Sequence, residues 1–320
     1  MLILYIALLA CLGCGSAQRE PLRLGSQTLE TTLPIEVARQ GRLFEANGLD
    51  VTMSQYDTGL AALNALIEGK DDAAAGVSDY VFITKVLAGN DLKAVACIDK
   101  VDFISVVARK DRGIHAVHDL AGKKVGVLPG TAQEFYVSRF LDMNGVGMEK
   151  VTMVNPGTMS GGVDLIADGG IDALVTVDPY LADARAALGE NAVVWPAQGS
   201  QPVFLLVVCR SQWIPGHETT VLKLLRSLRK AEEKILRQPA EAKKTAQNMM
   251  GISRDQVEAF WQRNEYSLSL ERALVAAMED EARWLIAASL ANTAEMPDLT
   301  DSMYVEGMRR VFPEGISVIY

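Results

Sequence analysis

Apolar positions along this chain follow two rhythms in turn. Short apolar runs of strand length give way to stretches where apolar residues recur every three or four positions, the order expected of parallel α/β layers. The first strand is Leu22-Arg23-Leu24-Gly25, and the polar loop Ser26-Gln27-Thr28 follows it. A helix is predicted over 34–44, where Ile35, Ala38 and Leu43 share a face and Asn47-Gly48 stops the element. Next come a strand over 51–56, a helix over 58–68 with Thr58 placed to cap it and Gly69 to end it, and a buried strand over 72–77.

The same unit returns about 100 residues later. Val51-Thr52-Met53 recurs as Val151-Thr152-Met153, Thr58 as Thr158, Gly69 as Gly169 and Asp72-Ala73 as Asp172-Ala173. Ser78-Asp79-Tyr80 matches Asp178-Pro179-Tyr180. Two topologically similar lobes are therefore expected. Apolar strands over 103–109 and 203–210 flank the second unit, so the chain crosses between lobes twice and one lobe is inserted in the other. Lobe one is expected to hold 22–105 and 200–320, and lobe two 106–199. After Gly216 the period is helical over 219–238, 240–250, 253–264 and 269–290, and the stripe Leu270, Leu274, Met278, Leu285 reads as core packing.

Residues 2–14 form the longest unbroken apolar run. It is shorter than the roughly 20 residues of a membrane-spanning helix, and its position suits a signal-peptide core within residues 1–18. Cys11 and Cys14 each close a stretch resembling a lipobox, so either is a candidate for lipidation. The expected location is the periplasm or the outer face of the cytoplasmic membrane, with a lipid anchor. Cys97 and Cys209 sit in apolar strands and read as buried free thiols.

Composition narrows the function. At 320 residues, 49% hydrophobic and 22% charged, the chain has the make-up of a globular protein with room for two cores. Its formal charge of -9 argues against a nucleic-acid partner, which needs clustered Lys and Arg. No Gly-x-Ser-x-Gly elbow, HExxH motif or paired-cysteine metal spacing is present. His115 and His118 lie three apart but in a polar stretch without a third ligand, and read as solvated surface residues. No catalytic residue, metal or cofactor is expected.

Ligands of open α/β sheets bind beyond the carboxyl ends of the strands, near helix N-termini. Here those positions are Ser26, Gln27 and Thr28, then Thr58 and Gly59, then Ser78 and Asp79. In the second unit a strand over 123–128 turns through Pro129-Gly130-Thr131-Ala132-Gln133 into a helix over 134–143. Gly130 permits close backbone approach, and the free N–H groups behind Thr131 favour an anion or a carbonyl. Asp178 ends another strand of the same unit.

Several segments, in order, resemble the solute-binding proteins of the nitrate/sulfonate/taurine and thiamine-precursor ABC importers. They are GLDVTM, LIEGKDDAAAGVSD, KAVA, DLAGKKVGVLPGTAQEFYVSRFL, IDALVTVDPY and the helix containing EARWLI, and they span about residues 20–315. The resemblance implies a two-lobed, type II periplasmic binding fold with the C-terminal helices packed on lobe one. It implies a small-molecule ligand enclosed between the lobes of a monomer, and a permease and ATPase as partners. The contacts it carries over are Ser26, Gln27, Thr28, Ser78, Thr131, Gln133 and Asp178. Two departures bear on the ligand. Val177 stands where relatives often carry Trp, and no Arg stands in the candidate loops. Asp79 and Asp178 would suit a cationic or hydroxyl-bearing ligand, and Tyr136 an aromatic pocket wall. The alternatives are a lipid-anchored enzyme or a ligand sensor on the same fold.

Overall fold

The computed structural model describes residues 19–199 and 201–318. The signal-like run, Cys11, Cys14 and the expected anchor lie outside the described residues. The first sheet begins with β1 (Glu20–Gln27), β2 (Leu49–Tyr56), β3 (Ala73–Ser78) and β4 (Leu92–Val101). The chain then builds a second sheet from β5 (Ser105–Arg109), β6 (Lys124–Gly126), β7 (Thr152–Val154), β8 (Ala173–Thr176) and β9 (Ala192–Pro196). It returns to the first with β10 (Val203–Arg210) and the two-residue β11 (Asn264–Glu265).

The two sheets repeat one plan. Their spatial orders are β11-β4-β10-β3-β1-β2 and β7-β6-β8-β5-β9. In each, a parallel trio meets one antiparallel strand that has just crossed from the other sheet. β10 runs antiparallel to β3 and β4, and β5 antiparallel to β8 and β9. β10 is buried from Val203 to Cys209, which explains its unbroken apolar run: both faces are covered and nothing calls for alternation. Cys97 and Cys209 are buried free thiols, set opposite Leu206 and Lys93 rather than opposite each other.

The helix expected over 34–44 is two helices, α1 (Leu33–Gln40) and α2 (Leu43–Ala46). Arg42 breaks it with a left-handed φ of 53°. Four further helices follow strands: α3 (Gly59–Ile67), α4 (Asp79–Leu87), α5 (Ala132–Met143) and α6 (Met159–Asp168). The internal repeat survives in three dimensions. Thr58 Oγ1 caps α3 by accepting from Ala61 N–H at 3.1 Å, and Thr158 caps α6 by accepting from Gly161 N–H at 2.9 Å. After α7 (Tyr180–Leu188), the C-terminal segment forms α8 (Glu218–Arg237), α9 (Pro239–Met250), α10 (Arg254–Trp261), α11 (Arg272–Ala287) and α12 (Val305–Val311). These pack on the first sheet's side, α8 against α1 and α11 against α4. The helix expected over 253–264 ends at Trp261 because Asn264 and Glu265 pair with β4 instead. His115 and His118 lie beside Asp119, which accepts from the His115 and Ala116 N–H groups.

Asp79, expected at the ligand, is fully buried under α11. It opens α4 and lies in hydrogen-bonding reach of Glu281, itself fully buried on α11. Two carboxylates can bond only if one keeps its proton. Burial pushes Asp79 up from 3.8 to about 7, and burial with the Asp79 charge pushes Glu281 well above its usual range. Ala is excluded at Gly59 for a different reason. Its Cβ would lie 2.3 Å from the Gly76 carbonyl oxygen, so the start of α3 and the end of β3 touch backbone to backbone.

Two outcomes follow from this packing. Gly59→Ala should destabilise by about 1–3 kcal/mol through overpacking, read from urea unfolding midpoints; an unchanged midpoint would refute the close approach. For Asp79 the folded pKa lies above the unfolded one, so the folded state binds more protons. The stability linked to it is full below about pH 4 and is lost as pH rises through about 7. Asp79→Asn should therefore gain stability relative to wild type between about pH 5 and pH 8, on the order of 1–3 kcal/mol. A difference that stays flat with pH would rule out a protonated Asp79.

Candidate functional site

A cavity of about 50 Å³ lies between the two sheets, beside the crossing residues Phe103 and Ile104. The first sheet's side presents Gln27, Thr58, Gly59 and Ser78, and the second presents Thr131 and Gln133. Apolar side chains fill the gaps, among them Leu29, Leu60, Val81, Met159, Val177 and Leu205. A water needs about 10–15 Å³ on this scale, so the space suits a few heavy atoms.

Strand alternation decides the contribution of β1. Successive side chains point to opposite faces, so Gln27 enters the pocket while its neighbours do not. Ser26 is buried and donates to its neighbour's carbonyl, Gln27 O, at 3.2 Å. Thr28 is exposed and donates to Gln55 Oε1 at 2.8 Å. Gln27 itself works as a clamp. Its Oε1 accepts from Gly59 N–H at 2.9 Å, and its Nε2 donates to Gly76 O at 3.1 Å and to Thr31 Oγ1 at 3.3 Å. The start of α3 and the end of β3 are thus fixed to β1 by one side chain.

The cap residues of successive helices converge on this space. Thr58 caps α3, and Ser78 caps α4 by accepting from Val81 N–H at 3.3 Å. Thr131 stands at the N-cap of α5, but its hydroxyl turns away and donates to Leu128 O at 2.8 Å. Met159 is the first residue of α6. The N–H groups of Leu60, Thr131, Ala132, Gln133 and Met159 have no partner among the described residues. Three helix N-termini, those of α3, α5 and α6, thus bring partial positive charge to a space with no Lys, Arg, Asp, Glu or His among the described lining residues, while at α4 the Tyr80 and Val81 N–H groups already donate to Asp79 Oδ1 and Ser78 Oγ.

Three more expected contacts are elsewhere. Gly130, with φ of 73°, makes the turn before α5, and its N–H donates to Glu134 Oε2 at 3.0 Å; it does not line the cavity. Tyr136 is buried against Phe135 and its hydroxyl donates to Pro202 O at 3.2 Å, so it braces the returning crossing rather than forming a pocket wall. Asp178 forms an ion pair with Arg263, a residue just after α10 that the loop-by-loop reading passed over. With Asp79 buried and Asp178 paired, neither acid is placed to meet a cation. Val177 lines the cavity in place of Asp178.

The apolar walls were also missed, although the repeat held a signal for two of them. Met159 follows the cap Thr158 as Gly59, itself an expected contact, follows the equivalent cap Thr58, and both line the cavity. Val177 likewise precedes Asp178 as Val77 precedes Ser78. Phe103 and Ile104 carried no such signal, since a crossing segment has no fixed period.

Outside the cavity lining, side chains tie helices of the two sheets to each other. Tyr80 of α4 donates to Glu134 Oε2 at 3.1 Å, and Trp284 Nε1 of α11 donates to Ser138 Oγ of α5 at 3.2 Å. Arg139 of α5 pairs with Asp280 of α11. Tyr80, Phe135 and Trp284 pack ring on ring between them, with centroids 5.6–6.1 Å apart. On another side stands the Asp178–Arg263 pair.

Comparison with known structures fits this geometry. The alkanesulfonate-binding protein SsuA of Xanthomonas axonopodis pv. citri, bound to MOPS, superposes with a TM-score of 0.78 at 20% identity, covering 90% of this chain and 99% of that one. The periplasmic aliphatic sulphonate binding protein SsuA of Escherichia coli gives 0.70 at 18% identity, covering 86% and 95%. The periplasmic nitrate-binding protein NrtA of Synechocystis PCC 6803 gives 0.69 at 10% identity, covering 92% and 89%. At such identities the likeness establishes the periplasmic binding protein fold. No curated protein sequence matches the chain. The family model described as NMT1/THI5 like matches residues 31–242, more than half of the sequence, and the chain belongs to that family.

Proposed function

We propose that this protein is the solute-binding component of an ABC importer and that its cargo is a small oxyanion of the sulfonate class. The observation that carries the reading is the convergence of the α3, α5 and α6 N-termini, with unpaired N–H groups, on one uncharged cavity. Aligned peptide dipoles and unpaired N–H groups stabilise an anion without a cationic side chain. The lack of Arg in the candidate loops therefore does not count against an anionic ligand. The names of the structural neighbours, sulfonate- and nitrate-binding proteins, agree in the sign of the ligand. The apolar walls suit a short organic tail on the charged group.

In this reading Thr58, Ser78, Thr131 and Gln133 meet the ligand, and Gln27 and Gly59 hold the first sheet's share of the site in place. The segments 22–105 and 200–320 act as one lobe and 106–199 as the other, closing about the two crossings. The protein works as a monomer outside the cytoplasmic membrane, held by a lipid on Cys11 or Cys14, and delivers its cargo to a permease driven by an ATPase. Turnover is not expected, because no His, Cys or acid among the described residues lines the cavity to act as base or nucleophile.

A thermal-shift series on the chain lacking residues 1–18 tests the assignment. The panel is short alkanesulfonates, taurine, nitrate, a matched carboxylate, a pyrimidine and an alkylamine. A ligand present at about 100 times its Kd adds about 2.7 kcal/mol, which is several degrees for a chain of this size. Alkanesulfonates are expected to give that shift and the alkylamine none. A shift with the amine and none with any anion would overturn the reading.

A further inference from the structure

The polar groups around the cavity are almost all donors. Four of its side-chain oxygens already accept a hydrogen bond: Gln27 Oε1 from Gly59 N–H, Thr58 Oγ1 from Ala61 N–H, Ser78 Oγ from Val81 N–H and Gln133 Oε1 from Leu128 N–H, at 2.9, 3.1, 3.3 and 3.4 Å. Thr131 Oγ1 alone donates without accepting. The nearby carbonyls are engaged too, Gly76 O by Gln27 and Ile104 O by Ala197 N–H. Against these stand the unpaired N–H groups at the starts of α3, α5 and α6, and the free protons of the Thr58 and Ser78 hydroxyls.

Gln133 is the sharpest case. Its side chain is buried, with the residue 3% exposed, and its Nε2 donates only to Met159 Sδ, at 3.3 Å. A thioether is a weak acceptor, so a ligand oxygen would replace it with gain. The amide cannot turn over to offer its oxygen. Doing so would set Nε2 against Leu128 N–H, donor facing donor.

We propose that this cavity selects oxyanions that carry no proton, and that Gln133 is the residue that enforces the selection. The inference rests on the reading of the cavity as an oxyanion site and adds the rule by which it chooses among oxyanions. All three oxygens of a sulfonate accept and none donates. A phosphonate with the same tail has the same tetrahedral shape, but its monoanion carries an O–H. Inside this cavity that O–H meets unpaired N–H groups and, as acceptors, only neutral oxygens, four of which already accept one bond; a donor left poorly paired among them costs on the order of 10-fold in affinity.

The test is calorimetric titration of the wild-type protein with ethanesulfonate and ethylphosphonate at about pH 5.5, below the second ionisation of a phosphate-type group near about 6. The sulfonate is expected to bind on the order of 10-fold more tightly. Two variants then supply an acceptor. Gln133→Glu places a carboxylate where Nε2 stood, and Thr58→Asp keeps an N-capping oxygen for α3 while adding one, so at least one fold-preserving site is tested. Each should lower sulfonate affinity and raise the phosphonate-to-sulfonate ratio at least about 10-fold, because a carboxylate accepts the O–H and repels the proton-free anion. Equal wild-type affinities, or ratios unmoved in folded variants, would overturn the proton rule while leaving the oxyanion site intact. Binding of neither anion would overturn both.

Discussion

Each sheet ends its parallel trio with an antiparallel strand that arrives from the other sheet. β5 enters the second sheet directly after β4 leaves the first, and β10 enters the first directly after β9 leaves the second. Because each exchanged strand is hydrogen-bonded on both sides within its host sheet, the two crossing segments are held at both ends. The strand ends of the two sheets must then face each other across a short gap. Helices that start at those ends point their N-termini into the same space. The anion-favouring character of the cavity is thus a product of topology before it is one of side chains.

Side chains then refine what topology supplies. Gln27 fixes three backbone segments with one carboxamide, and Gly59 lets α3 approach β3 more closely than any side chain would permit. The aromatic cluster of Tyr80, Phe135 and Trp284 ties α4 and α11 to α5, and the Asp178–Arg263 ion pair ties the end of β8 to the segment after α10. Asp79 shows how costly position can be. One residue past the cap Ser78, it points under α11, where burial raises its pKa to about 7 and Glu281, raised further, shares its site.

Much of this was legible in the sequence. The fold class, the order of strands and helices, the recurrence at about 100 residues and the crossings at 103–109 and 203–210 rest on local period and on caps, which are near-neighbour properties. The β1 loop was legible only as a place. Which of Ser26, Gln27 and Thr28 turns inward depends on where the strand ends, and a shift of one residue inverts the choice. Gly130 and Tyr136 were placed on the correct turn and helix but face elsewhere, because their partners Glu134 and Pro202 are chosen by tertiary packing. Arg263 lay out of reach of local reading. It is 85 positions from Asp178 along the chain, in a segment whose pattern spoke only of helix, and no period encodes that meeting.

The division of donors between the sheets has a kinetic side. Thr58, Ser78 and Leu60 N–H belong to one half of the cavity, and Gln133, Ala132 N–H and Met159 N–H to the other. No single contact on either side is an ion pair that would hold an anion alone. On the proposed function, an occupant is retained only while both halves are in register, and separating them would remove about half of its hydrogen bonds in one movement. Retention and unloading would then be two positions of the same mechanical coordinate, with no residual buried charge to trap the proposed cargo on the way out.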